Sequence, residues 1–355
     1  MDKKTIVVND IAASPGGGLT VLKEFYDAII RNGEDFNWVL LLSKAYVEET
    51  TNIKVILLPE VKKHLNRILF DSMYGWRTIN SYNPSVVFSL QNTVVYHAKG
   101  KKITYVHQPL PFQDVKDYSL LSKDEFGLAC IQHLLGRCIK KSIKASDLSI
   151  VQTKWMKGAV EEKCGVRNVK QIYPNVPTIQ NKASYKTTNT FFYPTGNVSY
   201  KNNGLLIESA QHMLKEGIEG TVVMTTDHLE KVENINYIGS VSIEEVYDYY
   251  TKSCLVFPSY IETFGYPLVE AKSVGSIILA SDCFFSHELL DDYNNAYFFD
   301  PFNEETLFEL MKKVSTGEIT RKPNSTVKDN NVEEAETINN WDRVVRIIME
   351  SALEN

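Results

Sequence analysis

Short apolar runs rich in β-branched residues recur along this chain, with helix-period patterns between them. TIVVN (5–9), NWVLLL (37–42), KVILL (54–58), SVVFSL (85–90), KITYV (102–106) and LSIV (148–151) read as strands. Helical patterns fall at about 18–31, 61–80, 123–145 and 154–162. Such alternation favours a parallel sheet, because parallel neighbours need crossover connections. The rhythm stops over PTIQNKASYKTTN (177–189), which reads as an interdomain linker. It resumes with TFFYP (190–194), GTVVMTT (220–226), INYIG (235–239), CLVFPS (254–259) and SIILAS (276–281), with helices near 201–216, 243–251, 266–274 and 303–316. A second polar stretch (319–334) precedes an amphipathic helix around 339–353. The expected fold class is α/β, with two doubly wound domains: residues 1–176 and residues 177–338. The segment 339–355 has the option of packing back on the first domain.

Composition narrows the classes. A chain of 355 residues is long for one core and fits two domains. Apolar content of 43% and charged content of 23% exclude a disordered or fibrous chain. No run approaches the ~18 apolar residues of a membrane span, and MDKKTIVVND has no secretory core. Cys130, Cys138, Cys164, Cys254 and Cys283 form an odd set without C-x-x-C, which argues against zinc or a disulfide framework and for a reducing cytoplasm. The charge is uneven. Residues 1–170 carry 24 Lys and Arg against 17 acids, and the remainder 14 against 27. A basic half suits an anionic membrane surface or a phosphorylated substrate, or else reflects uneven solvated charge.

Loops after the strands are where such sheets bind ligands. Two of them stand out. Pro15-Gly16-Gly17-Gly18 joins the first strand to a helical run, where glycines admit close backbone approach and the helix start offers N–H groups to an anion. Taken alone, the stretch is equally a flexible turn. Glu262-Thr-Phe-Gly-Tyr-Pro-Leu-Val-Glu270 follows the strand run LVFPS, and Pro267 suits a first helical turn. Glu262 is then in the loop and Glu270 one turn into the helix, with the amides of Leu268 and Val269 near the helix start. The eight-residue spacing proves little by itself, since Glu208 and Glu216 share it on an ordinary helix pattern.

With its surroundings, the second stretch is specific. PSYIETFGYPLVEAKSVG followed by IILASDCFFSHELLDDYNNAYFFDPFNEETL resembles the C-terminal half of retaining glycosyltransferases of the GT-B fold, family 4 (the group 1 glycosyltransferases), with their E-x-F-G-x-x-x-x-E signature. TGNVSYKNNGLLIESA, PGGGLTVL, VHQPLPF and SDLSIVQTKWMKGAV extend the likeness over most of the chain. The resemblance implies two Rossmann-like domains facing across a cleft. It implies that Glu270 holds the ribose hydroxyls of a nucleotide sugar, and that Glu262 lies near the donor sugar, helped by the Thr263, Phe264 and Gly265 backbone. It further implies that Lys201 neutralises the diphosphate, that Gly17 and Gly18 line the donor phosphates, and that His107 faces the reacting sugar. One position departs: Asn197 stands where the family usually pairs that lysine with an arginine.

The chemistry expected of such a chain is front-face displacement, in which the leaving phosphate assists the incoming hydroxyl. Developing charge must be met by fixed dipoles and a cation, and no D-x-D pair calls for a divalent metal, so no cofactor is expected. VKKHLNRILFDSMYGWRTINSY (61–82) places Val61, Leu65, Ile68, Leu69, Met73, Trp76 and Ile79 on one face with Lys62, Lys63, Arg67 and Arg77 around it. That pattern fits a helix covering the sheet or an interfacial membrane helix, and Lys140, Lys141 and Lys144 add basic charge. No aromatic-basic interleaving points to nucleic acid. The expected partners are a nucleotide-sugar donor, a glycan or lipid-linked acceptor, and a peripheral contact with anionic membrane. The function implied is cytoplasmic sugar transfer in surface polysaccharide assembly. A nucleotide-sugar epimerase or phosphorylase of the same fold, and a non-catalytic nucleotide-sugar-binding protein, are the alternatives.

Overall fold

Parallel pairing organises both sheets of the computed structural model, which describes residues 3–15, 17–227, 231–323 and 339–354. Gly16, His228 and most of the 319–334 stretch lie outside the described residues. The chain divides into two units, Met1–Asn175 with Asn330–Asn355, and Val176–Asp329.

Unit 1 has strands β1 (Thr5–Asp10), β2 (Asn37–Leu42), β3 (Ile53–Leu57), β4 (Val86–Ser89), β5 (Lys101–Val106), β6 (Leu148–Val151) and β7 (Val169–Gln171). Their order in the sheet is β3-β2-β1-β4-β5-β6-β7, and β1 sets the register with Val8 opposite both Leu40 and Phe88. Its helices are α1 (Gly17–Asn32), α2 (His64–Leu69), α3 (Gly75–Asn80), α4 (Phe126–Ala129), α5 (Gly136–Lys144) and α6 (Lys154–Cys164). Unit 2 has β8 (Thr190–Tyr193), β9 (Thr221–Met224), β10 (Ile235–Tyr237), β11 (Cys254–Phe257), β12 (Ile278–Ser281) and β13 (Ala296–Phe299), in the order β10-β9-β8-β11-β12-β13. Its helices are α7 (Asn203–Lys215), α8 (Ile243–Lys252), α9 (Tyr266–Val274), α10 (Phe284–Leu290) and α11 (Glu304–Ser315). The chain ends in α12 (Asn340–Leu353).

The strands are apolar on both faces because helices cover both. On one face of unit 1, Leu22, Phe25 and Ile29 of α1 pack with Phe88, Tyr105 and the α12 residues Trp341, Val345 and Ile348. On the other, Val7, Leu41 and Val87 pack with Val61, Phe70 and Ile79. Helix α12 therefore belongs to the core of unit 1. Trp341 Nε1 donates to Glu24 at 2.6 Å, and Arg31 pairs with Asp342 at 2.7 Å.

Three features differ from the sequence reading. The patterns at 61–80 and 123–145 are not single helices: π-helical turns at Phe70–Tyr74 and Cys130–Leu135 interrupt them, and an extended Lys63 separates α2 from a 3₁₀ turn at Pro59–Lys62. The first π turn shifts the helical phase. Phe70 and Asp71 consequently point inward, while Leu65, Ile68, Leu69 and Met73 of the expected buried stripe are exposed. Gly75 is required there, because a Cβ would lie 2.6 Å from the Phe70 ring. The stretch 177–189 is a strap rather than a free linker: Ile179 and Ala183 are buried, the Ala183 N–H donates to the Val274 carbonyl, and the Tyr185 hydroxyl donates to the Ser253 carbonyl while accepting from the Ile277 N–H. Finally, β7, β13 and α10 were absent from the strand and helix assignments. They are short and lack a diagnostic period.

If α12 completes the first core, Ile348→Ala should lower the stability of unit 1 by about 2–5 kcal/mol, as for other buried large-to-small changes. The exposed neighbour Arg346 should tolerate alanine within about 0.5 kcal/mol. Urea unfolding of the two variants, followed by tryptophan fluorescence, checks this.

Candidate functional site

Strand order selects one point in each sheet. From β8 the chain adds β9 and β10 on one side, and from β11 it adds β12 and β13 on the other. The crevice between β8 and β11 is a topological switch point, where doubly wound sheets take ligands. The loops leaving these two strands carry Lys201 and Glu262.

Those side chains meet. Lys201 Nζ lies 2.5 Å from Glu262 Oε1, with both side chains mostly buried. The same Glu262 oxygen accepts from Ser259 Oγ at 2.8 Å, and the Tyr200 carbonyl accepts from the Tyr260 N–H at 3.1 Å. The Tyr193 hydroxyl, at the end of β8, donates to the Lys201 carbonyl at 2.8 Å. Lys201 is thus fixed through its backbone by one strand and through its ammonium by the other. Asn197 stands exposed in the loop before it. That loop is pinned behind it by Asn203, which donates to the Gly196 carbonyl and accepts from Thr195 Oγ1.

Gly265 starts α9 with φ of 90°, a backbone region open to glycine. Pro267 sits in the first turn, and the Leu268 N–H donates to the Gly265 carbonyl at 3.0 Å. The Leu268 amide is therefore engaged within its own turn, and Val269 stands at the fourth position, where the helical ladder begins. Thr263 is half-buried, and Phe264 is buried with its ring 5.2 Å from that of Tyr266. Glu270 is only 7% exposed, and its Oε2 accepts from the Tyr250 hydroxyl of α8 at 3.0 Å. Burial raises the Glu270 carboxyl above its ordinary value, and the Tyr250 hydrogen bond partly offsets this. Tyr250 is placed by a helix that opens with a Ser242–Glu245 capping box.

In unit 1 the order reverses between β1 and β4. Gly17 and Gly18 form the first turn of α1 and are exposed. A Cβ at either would meet nothing within 4 Å, so packing makes no demand for glycine there. His107 follows β5. Its backbone N–H donates to Asn92 Oδ1 at 2.7 Å, and its ring meets Tyr105 edge-on at 5.7 Å. Its Nδ1 is enclosed and has no partner among the described residues. Burial pushes the imidazole down to about 4, so it is neutral at neutral pH.

Sequence reasoning missed the acids beside this second switch point. Asp10, at the end of β1, and Asp71, in the first π turn, are both buried, and burial pushes each up to about 7 against the opposing pull of Arg67. Lys62 also opposes the shift at Asp10. The signal for Asp10 was an acid closing the first apolar run. Asp71 gave none, because its inward turn depends on the π insertion.

One group among the described residues has metal-ligand geometry: His212, Glu304 and Glu305 bring ligand atoms within 4.8 Å of one another. The histidine ends α7 and the glutamates open α11, which is the pairing two helix dipoles favour.

Residues 176–330 match the family model for glycosyl transferases group 1. A comparison with curated protein sequences gives no match. Among solved structures, the chain is similar to the lipopolysaccharide outer core galactosyltransferase WaaB, with 13% identity over 98% of this chain and 99% of that one, and a TM-score of 0.67. It is also similar to sucrose-phosphate synthase from Thermosynechococcus elongatus (13% identity, 99% and 97%, 0.64) and to Anabaena HepE in complex with UDP and glucose (14%, 98% and 95%, 0.57). At these identities the likeness shows the fold, the two-Rossmann GT-B architecture. The matched segment contains Lys201, Glu262 and Glu270, all held by the contacts above.

Chemically, this edge of unit 2 offers a fixed ammonium, a helix start and two carboxylates. Removing the Tyr250 hydroxyl should raise the Glu270 pKa further, since that bond favours the charged form. Carboxyl carbon NMR titration of the parent and Tyr250→Phe is the check, and an unchanged Glu270 midpoint would refute the assigned contact.

Proposed function

We propose that this chain is a retaining, metal-independent glycosyltransferase that moves a sugar from a nucleotide-sugar donor to a glycan or lipid-linked acceptor in surface polysaccharide biosynthesis, working in the cytoplasm at the inner face of the membrane. The observation that carries the reading is the Lys201–Glu262 pair at the switch point of the segment matching the group 1 family. The similar HepE structure holds UDP and glucose, which supports a nucleotide-sugar donor, and the similar WaaB is a lipopolysaccharide galactosyltransferase, which supports the pathway class.

In this reading the glycosyl–phosphate bond breaks and charge develops on the diphosphate. Lys201, once released from Glu262 by the bound donor, and the α9 helix start meet that charge. The acceptor hydroxyl attacks from the same face and passes its proton to the departing phosphate oxygen, so the anomeric configuration is kept. Glu270 accepts from ribose hydroxyls. Glu262 exchanges Lys201 for sugar hydroxyls. A bare nucleoside diphosphate would take the lysine and strand a mostly buried carboxylate, which is costly. A nucleotide sugar supplies a partner for each.

Asn197 favours a second reading, in which the chain binds nucleotide sugars without turning them over, because the cation usually found there is missing. Assay against UDP-, GDP- and ADP-hexoses with acceptor extracts separates the two. The expected result is transfer that survives chelation, a product whose anomeric coupling matches the donor, and a kcat about 10²–10³-fold lower in Lys201→Ala. In Glu262→Gln, calorimetry should show the nucleoside diphosphate gaining affinity relative to the nucleotide sugar. Equal turnover in the parent and Lys201→Ala would end the catalytic reading.

No helix among the described residues is long and apolar enough to cross a membrane. Membrane contact is proposed through the 63–77 segment, where Leu65 of α2 and Met73 of the following π turn are 68% and 64% exposed, with Lys63 just before α2 and Arg77 in α3. Each cation near anionic lipid contributes about 1 kcal/mol. Vesicle flotation should show binding to phosphatidylglycerol-containing but not neutral vesicles, weakened at least several-fold by Leu65→Glu with Met73→Glu. Equal flotation of parent and variant would remove this surface from the proposal.

A further inference from the structure

The loop after β4 in unit 1 ties together several parts that are far apart in sequence. Asp71 Oδ2 accepts from Thr93 Oγ1 at 2.7 Å, and Gln91 Nε2 lies 3.4 Å from Asp71 Oδ1. Ser89, at the end of β4, donates to the Thr93 carbonyl. The Tyr96 N–H donates to the Asp71 carbonyl at 3.0 Å. The loop is therefore closed on residue 71, through its carboxyl at Gln91 and Thr93 and through its backbone carbonyl at Tyr96.

Two groups expected to face ligand hang from this loop. Gln91 Oε1 accepts from the Ala12 N–H at 3.2 Å, holding the turn that leads into the Gly17–Gly18 helix start. Asn92, between the two residues that grip Asp71, accepts the His107 backbone N–H through Oδ1. Asn92 adopts φ of 67°, a left-handed conformation that asparagine tolerates better than most residues. Such backbone strain persists where surrounding contacts over-determine it, and the Gln91 and Thr93 contacts with Asp71 flank it directly.

We infer that Asp71 is a positioning residue: by fixing Gln91 and Thr93 it presents Asn92 to the His107 backbone N–H, and so sets the backbone from which the His107 imidazole projects. The inference rests on the proposed reading only for what His107 does, not for how it is held. A buried acid is a costly means of closing a loop, since water would hydrate its charge better. Carboxyl oxygens do, however, accept two side-chain donors from one strand-end loop, which an apolar residue at 71 could not do. Arg67 lies near enough to moderate that cost. Asn9 lies beside the same carboxyl and favours its charged form.

The test reads His107 directly. Imidazole NMR titration of the folded parent should show His107 titrating far below an ordinary histidine. In Asn92→Gly the left-handed backbone is retained and the acceptor is lost, and in Asp71→Asn one of the carboxyl's two acceptor oxygens is lost. In both, the His107 midpoint should rise by about one unit or more as water reaches the ring. In the transfer assay, both loosened variants should lose about tenfold or more in kcat, with the donor KM changed less than about twofold, as expected for lost placement rather than lost donor binding. An unchanged His107 midpoint in folded Asn92→Gly overturns the inference, even if Asp71→Asn does not fold. If no donor supports transfer, the proposed function fails, while the titration still decides whether Asp71 places His107.

Discussion

Every described strand pairing in this chain is parallel, and that constraint determines where chemistry can occur. Parallel neighbours cannot be joined by a tight turn, so each connection crosses over through a helix or long loop. All strands of a sheet then end on the same edge. Where successive crossovers change direction, two loops part and leave a crevice. In unit 2 those loops hold Lys201 and Glu262, and in unit 1 they hold the β1 turn and the Gln91–Thr93 loop. Residues 61 positions apart in sequence meet at 2.5 Å for this topological reason.

The two edges are electrostatically unlike. Unit 2 keeps an ion pair whose carboxylate also accepts from the Ser259 hydroxyl. Unit 1 keeps buried acids pushed up to about 7 and an imidazole pushed down to about 4. The latter shifts have one dominant cause, desolvation, and each favours the neutral form. Their effects on stability oppose each other. The raised carboxyls bind protons in the folded state between their unfolded values and about 7, so their contribution declines as pH rises through that window. The depressed histidine declines as pH falls from its ordinary value towards about 4. Between pH 4 and 6.5 the two carboxyls therefore oppose the histidine, and acid sensitivity in unit 1 is weaker than the histidine alone would give.

Much of this was legible in the sequence. The alternation of apolar runs and helical periods carries the fold class because its cause, burial of both sheet faces, acts on every strand. The Glu262–Glu270 stretch could be read because a strand end, a glycine and a proline sit in fixed order around it, and each has a local backbone reason. What escaped notice depends on tertiary geometry. The π turn at 70–74 shifts the phase of the 61–80 pattern, so that Phe70 and Asp71 face inward beside Val61 and Ile79, and no periodicity analysis that assumes a uniform helix detects it. Tyr185 lies in a polar stretch that resembles a linker, yet its single hydroxyl is shared by two strand-end backbone groups of unit 2.

The same distinction explains why the resemblance could supply Lys201 and Glu262 one by one while their pairing went unread. That the Lys201 ammonium is held by Glu262 depends on β8 and β11 being neighbours, which follows only from the completed strand order. A mostly buried ammonium with one carboxylate partner is held by that partner and must be released before it can serve another anion. Since the desolvation cost has already been met in folding, exchange for a phosphate in the same place adds little further cost on the lysine side. The cost falls on the glutamate. Whatever binds at this edge must therefore satisfy a carboxylate as well as an ammonium, and a ligand with an anionic group beside hydroxyls meets both requirements.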